Sequence, residues 1–202
     1  WNTSSVMRNE FESDGGATWL IRTSGVTDGL NKVAASSGLF VVAGNAGKIL
    51  TSADGATWAS RSSGFGTSAV LGAEYLGSLF LAFGENGKLA TSSDGTAWTD
   101  RTSAFGSTSI RAAAKTGSKW VLAGDSGKIT NSTDAATWAE RATPFAGSSI
   151  RTLAYASGTL MALGASGVLA KSTDNGDTWA AVSGVSTVYD VMYASGKWIA
   201  VT

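Results

Sequence analysis

One pattern recurs five times along this chain: "ESDGGATW" ending at Trp19, "SADGATW" at Trp58, "SSDGTAW" at Trp98, "STDAATW" at Trp138 and "STDNGDTW" at Trp179. The steps from one Trp to the next are 39, 40, 40 and 41 residues. Self-similarity at such a period means stacked copies of one supersecondary unit, none of which buries its apolar face alone.

The segment from Trp138 to Trp179 shows the grammar of a unit. "AERA" is a short strand, "TPFAGSS" a loop, "IRTLAYA" an alternating strand, "TLMALG" a nearly continuous apolar strand, and "VLAKS" a third strand leading back to the repeat. Continuous apolarity predicts a strand covered on both faces. The connections are short and rich in Gly, Ser and Asn, leaving no room for crossover helices, so each sheet is antiparallel. Four-stranded sheets with two apolar faces are stable only when stacked radially and closed. The expectation is an all-β five-bladed propeller, one domain spanning residues 1–202, built from four-stranded antiparallel blades. The C-terminal "YDVMYASGKWIAVT" supplies two strands of a blade, and the N-terminal residues through Trp19 supply the other two, closing the ring. Residues 6–12 fit the third-strand pattern least well, with Arg8, Asn9 and Glu10 where other units read "KIL".

The repeated Ser-x-Asp-(x)-Gly-x-Thr-Trp stretch resembles the Asp-box, or BNR, repeat of sialidases and of many non-catalytic propellers. The resemblance implies a structural hairpin on the outer rim, in which Asp and Ser bind backbone amides, Gly takes a positive φ and Trp packs between sheets. On that basis Asp14, Trp19, Asp54, Trp58, Asp94, Trp98, Asp134, Trp138, Asp174 and Trp179 are architecture. The pattern departs at Glu12 for Ser, Ala97 for Thr and Ala135 for Gly. The sialidase likeness also implies an arginine triad, a Tyr–Glu nucleophile pair and an Asp acid. Only Arg111, Arg151, Tyr189, Asp190 and Glu74 are at hand for those roles, so no catalytic residue is assigned and a non-enzyme is expected.

Composition removes whole classes of chemistry. With no Cys and no His, thiol nucleophiles, disulfides, imidazole bases and ordinary zinc sites are excluded. Fifteen basic and fifteen acidic residues cancel, which disfavours nucleic acid as a partner. No apolar run approaches the roughly 20 residues that span a bilayer. "GNAGK", "GENGK" and "GDSGK" imitate part of a phosphate loop, but they sit between strands rather than before a helix, and two-residue hairpin turns are expected there. "DNGD" at 174–177 is too short for a calcium loop. No metal and no cofactor is expected. The chain starts at Trp1 without Met, as a processed chain or an excerpt would.

Function is expected at the sheet ends opposite the repeated turns, on the entry loops and the turns between second and third strands. Phe65, Phe105 and Phe145 recur in those loops, either as plugs between blades or as an exposed aromatic platform. A packing role should repeat and an asymmetric ligand should not. The least uniform level lies near the start of the innermost strand, where Asn31, Leu71, Arg111, Arg151 and Tyr189 align, followed by Lys32, Gly72, Ala112, Thr152 and Asp190. Arg111, Arg151, Tyr189 and Asp190, with Asn31 and Lys32, are therefore the candidate ligand-binding residues. The expected function is recognition of a glycan or a cell-surface or protein partner, as part of a larger phage virion (tail) or secreted bacterial protein, so that an extracellular or virion location is favoured. A scaffold that docks other chains is the alternative.

Overall fold

The computed structural model of the chain describes residues 11–12, 19–185 and 187–202. Among the described residues twenty strands follow one another, joined by turns and two three-residue 3-10 segments. β1 (Phe11–Glu12) pairs antiparallel with β2 (Trp19–Leu20). Four four-stranded sheets follow in chain order. They comprise β3 (Leu30–Ser36) to β6 (Ala59–Arg61), β7 (Val70–Leu76) to β10 (Thr99–Thr102), β11 (Ile110–Lys115) to β14 (Ala139–Arg141), and β15 (Ile150–Ala156) to β18 (Ala180–Ala181). β19 (Asp190–Ala194) and β20 (Lys197–Val201) form a last two-stranded sheet. The expected blade shared by the termini falls partly on residues 1–10 and 13–18, outside the described residues.

In each four-stranded sheet the strands run in sequence order with antiparallel neighbours, as loops this short require. The second strand carries the burial that continuous apolarity predicts: in β16 (Thr159–Gly164), Leu160, Met161, Ala162 and Leu163 are all buried. First and second strands are joined by two-residue turns, except that residues 116–119 connect β11 (Ile110–Lys115) to β12 (Trp120–Gly124). Ser157 and Gly158 take φ of 48° and 75°, as do Ser195 and Gly196 at 50° and 77°, the double left-handed geometry that matches strand twist. The turns between second and third strands hold three residues rather than the expected two, because Gly44 N donates to Lys48 O and Gly124 N to Lys128 O around them.

The chain divides into two compact units. The first comprises Trp1–Phe83 and Ala90–Asp100, the second Gly84–Leu89 and Arg101–Thr202. In the first, Val41, Ala43, Ile49, Phe65, Val70, Phe80 and Ala82 form one core between two sheets, with Trp98 against it. In the second, Val121, Ile129, Phe145, Ile150, Leu160 and Ala170 repeat that arrangement, and Met161, Leu163, Leu169, Val188 and Val191 extend it to the β19–β20 sheet. Small residues alternate with large ones, so neighbouring sheets interdigitate at close spacing.

Candidate functional site

The repeated turns join the third and fourth strands of each sheet. At residues 52–58, Ser52 Oγ donates to Asp54 Oδ1 at 2.9 Å, and the amides of Ala56 and Thr57 both donate to that same oxygen at 2.8 Å. Gly55 N donates to Ser52 Oγ at 2.8 Å, and Trp58 Nε1 donates to Gly55 O at 3.2 Å. The same network stands around Asp94 and Asp174. These bonds stabilise the carboxylate form. The amides of Thr57 and Ala56 hold Asp54 at about 2, and Asp94, Asp134 and Asp174 are also held below the usual carboxylate range, led by the amide of Ala97, the amide of Thr137 and the hydroxyl of Thr178 respectively. Each of these four carboxylates is committed to its own turn. Asp14 lies outside the described residues, as does the side chain of Trp19.

The turn with Ala135 in place of Gly differs. Asp134 still receives the amides of Ala136 and Thr137, but Trp138 Nε1 is buried without a partner among the described residues. Ala135 has φ 56°, against 70°, 73° and 84° for Gly55, Gly95 and Gly176. In two of the repeats the arginine three residues after Trp is also structural. Arg61 Nε donates to Thr51 Oγ1 at 2.8 Å and Arg141 Nε to Asn131 Oδ1 at 3.0 Å, each across to the third strand of its own sheet. Asp177 then clasps two sheets of the second unit together. It accepts from Lys119 Nζ at 2.6 Å and Asn131 Nδ2 at 3.0 Å and lies 3.2 Å from Arg141 Nη2, and Lys119 first and Asn131 next hold its carboxyl below the ordinary range.

At the opposite sheet ends the entry loops are not the open aromatic platform allowed by the sequence. Phe65, Phe105 and Phe145 are 1%, 0% and 1% exposed, so their rings offer no face to a ligand and serve as core plugs. The loop hydroxyls are committed too. Ser63 Oγ donates to Gly47 O at 2.6 Å and Thr143 Oγ1 to Gly127 O at 2.7 Å. The loop is pressed so close that a Cβ on Gly47, itself at φ 68°, would meet Gly66 O at 2.3 Å. Only Gly admits that approach.

The variable level near the start of the first strand coincides with a β-bulge. Pairing shifts between Leu30 and Lys32, between Ile110 and Ala112, and between Ile150 and Thr152, leaving Asn31, Arg111 and Arg151 as the extra residues. A bulged residue escapes the alternation of the ladder and is aimed out of the sheet end. Its backbone frame repeats: Asn45 N donates to Gly29 O at 2.8 Å, Asp125 N to Ser109 O at 2.9 Å and Ala165 N to Ser149 O at 2.7 Å. The bulge residue therefore faces the first residue of the adjacent turn.

What happens there differs from sheet to sheet. Asn31 Nδ2 donates to Asn45 Oδ1 at 3.0 Å and Val70 O at 2.9 Å. Arg111 grips Asp125 with both arms, Nε to Oδ1 and Nη2 to Oδ2 at 2.9 Å, which raises the guanidinium pKa and lowers the carboxyl. Lys32 lies 3.3 Å from Glu74. Asp190 Oδ1 accepts its neighbour's amide, from Val191 N at 2.8 Å. Arg151 alone of the three bulge residues makes no side-chain hydrogen bond or ion pair among the described residues. Of the candidate set, the structure brings together Arg151 and Tyr189. They border a cleft of about 260 Å³ whose other walls are Thr152, Ser166 and Thr187 and whose floor includes Leu163 and Val188. Tyr189 is 72% exposed. Arg111 and Asp190 do not line it. Sequence reasoning missed Ala165, whose significance is an absent carboxylate. Aligning turn residues Asn45, Glu85, Asp125 and Ala165 beside the bulge residues carries the signal.

Several solved structures share this arrangement of sheets. The computationally designed Ika8 protein superposes with a TM-score of 0.72 at 14% identity, over 92% of this chain and 59% of its own. YCF48 bound to D1 peptide gives 0.66 at 17% identity, over 91% of this chain and 64% of that one, and the WD40 beta propeller domain of Doa1 gives 0.68 at 14%, over 91% and 65%. The chain thus spans less than two thirds of the length of these neighbours, and what they share with it is the β-propeller fold. No curated protein matches the chain. Residues 75–197, more than half of the chain, match the DUF6242 beta propeller domain. The chain belongs to the DUF6242 beta-propeller family.

Proposed function

We propose that this chain is a non-catalytic recognition module that binds a protein partner at the sheet ends opposite its Ser-x-Asp turns. The observation that carries the reading is the division of labour between the two ends. The four described turn carboxylates are bound to their own backbone amides, whereas the Arg151–Tyr189 cleft presents an exposed phenol and a cation that has no side-chain partner among the described residues. A protein partner takes precedence over a glycan because a neighbour of the same fold is bound to a peptide. Catalysis is not part of this reading, since Arg111 is neutralised by Asp125 and Glu74 faces Lys32. In the same reading the turns are Asp-box rivets, residues 1–202 form one domain, and β19–β20 belong to a fifth blade shared with the N-terminal strands.

The test is selection of a random-peptide display library on the immobilised whole chain. The expected result is one convergent peptide family that binds saturably. Asp174→Ala, at the far turn, should lower thermal stability and leave that affinity unchanged. No saturable family from a folded chain, or an Asp174→Ala variant that loses binding while keeping its stability, would refute the reading.

A further inference from the structure

Within the second unit one sheet is a template for what its neighbour lacks. Arg111 and Arg151 occupy the same bulge, after Ile110 and Ile150, which pair with Gly124 and Gly164. Beside each, the first turn residue is anchored alike, Asp125 N on Ser109 O and Ala165 N on Ser149 O. The two hairpins differ just beyond, where Ser126 takes φ 58° and Gly167 N instead closes onto Gly164 O at 3.1 Å. In the first sheet the guanidinium is filled by the Asp125 carboxylate, which also meets the hydroxyls of Ser149 and Ser109. In the second, the corresponding position is a methyl group. Two groups that would surround a carboxylate placed there line the cleft: Arg151 and, in the position of Ser149 but before the following strand, Thr187.

We propose that the Arg151 cleft binds a peptide carboxylate, which takes the place that the Asp125 side chain occupies beside Arg111. This deepens the recognition role proposed above and rests on it. A planar guanidinium binds a carboxylate through two parallel hydrogen bonds, stronger and more directional than a single contact to a neutral group. The internal template is itself a protein carboxylate on a short stem, so an Asp or Glu side chain or a free C-terminus has the right chemistry. Tyr189, 72% exposed, stands at the rim above the buried Leu163 and Val188, so an apolar group next to the carboxylate has the phenol ring to cover. The cleft volume of about 260 Å³ suits one or two residues rather than a long segment. Lysine is absent as well: Val168 stands where Lys48, Lys88 and Lys128 stand in the other sheets, so Arg151 is the one cation lining the cleft among the described residues.

The experiment is a titration of the isotope-labelled whole chain followed by amide and arginine Nε resonances. Two probes carry carboxylates, N-acetyl-aspartate N-methylamide for the side chain and N-acetyl-phenylalanine for the C-terminus. Their uncharged amide counterparts are the controls, and N-acetylneuraminic acid represents acidic sugars. At least one peptide carboxylate should shift Arg151 Nε and the amides of residues 164–167, and its amide counterpart should bind at least tenfold more weakly. Which of the two binds identifies the source of the carboxylate. Arg151→Gln should abolish the shifts. Ala165→Asp should do the same while keeping the spectrum folded, because it supplies the missing partner in cis. Equal binding of carboxylate and amide, wild-type binding by either variant, or a response to the acidic sugar alone would overturn the proposal. A library-selected peptide whose affinity survives both substitutions would also overturn it, while leaving the recognition role standing. Should Ala165→Asp fail to fold, Arg151→Gln decides alone, since its side chain is exposed and bonded to nothing described.

Discussion

Replacing Ala135 by Gly should stabilise the protein, although it removes a buried methyl group. Ala135 is 1% exposed and has φ 56°, a left-handed conformation that costs an L-residue about 1–2 kcal/mol and Gly almost nothing. Its turn is also the one described copy in which the Trp indole N–H is buried without an acceptor. Where Gly stands in that position, at 70° to 84°, the indole donates to the Gly carbonyl at 3.0–3.2 Å. Restoring that acceptor removes a penalty of about 1–3 kcal/mol. Against these gains stand about 0.8 kcal/mol for the lost methyl burial and about 0.4–1 kcal/mol for the extra freedom of Gly in the unfolded chain. The balance centres on about 2 kcal/mol in favour of Gly, or about 4–8 °C in Tm for a domain of this size. Differential scanning calorimetry of Ala135→Gly, Trp138→Phe and the double variant separates the terms. Trp138→Phe should cost more in the Ala135→Gly background, because only there does it break a hydrogen bond. An unchanged or lowered Tm for Ala135→Gly, or additive effects in the double variant, would refute the reasoning.

Three further outcomes are expected. The turn aspartates are held below their usual value of 3.8, with Asp54 at about 2, so they contribute stability above that value that is lost as pH falls through their folded pKa values. Tm should be flat above about pH 5 and fall below about pH 4, and Asp54→Asn should lower the neutral plateau and reduce the acid slope, as a thermal-melt series would record. Phe105→Ala removes a fully buried ring and should destabilise by about 3–5 kcal/mol in urea unfolding, with no effect on peptide binding beyond loss of the folded fraction. Asp177→Asn and Lys119→Met should each weaken the second unit, and their double variant should be less than additive because both break one clasp, a coupling that fluorescence-monitored denaturation would detect.

The strand grammar was legible because it obeys periodicity: "TLMALG" reads as a doubly buried strand and Leu160 to Leu163 are buried. The turn network was equally legible, since Ser and Asp spaced two apart before Gly leave their side chains facing local amides. The candidate site was half legible. The differing residues at the aligned positions Asn31, Arg111 and Arg151 singled out this level, but a one-dimensional comparison does not show that it is a bulge, nor which turn residue it meets. For the same reason Arg111 and Arg151 looked alike, although 14 residues downstream one meets Asp125 and the other Ala165. The entry-loop Phe residues were ambiguous because aromatic rings among Gly and Ser suit a platform and a plug equally, and only the position of the neighbouring sheet decides.

The bulge on three of the first strands, β3, β11 and β15, has a consequence for how such a chain diversifies. Its main-chain bonds are made by residues on either side, so the side chain it carries is exempt from the demands of the ladder. An amide, a paired arginine and an unpaired arginine occupy it in three sheets without altering the surrounding register. Two substitutions per unit, one at the bulge and one at the facing turn, are enough to silence, recharge or reopen a position. Duplication of a single unit thereby yields interchangeable slots that mutation can specialise independently, with the risk to folding confined to residues elsewhere.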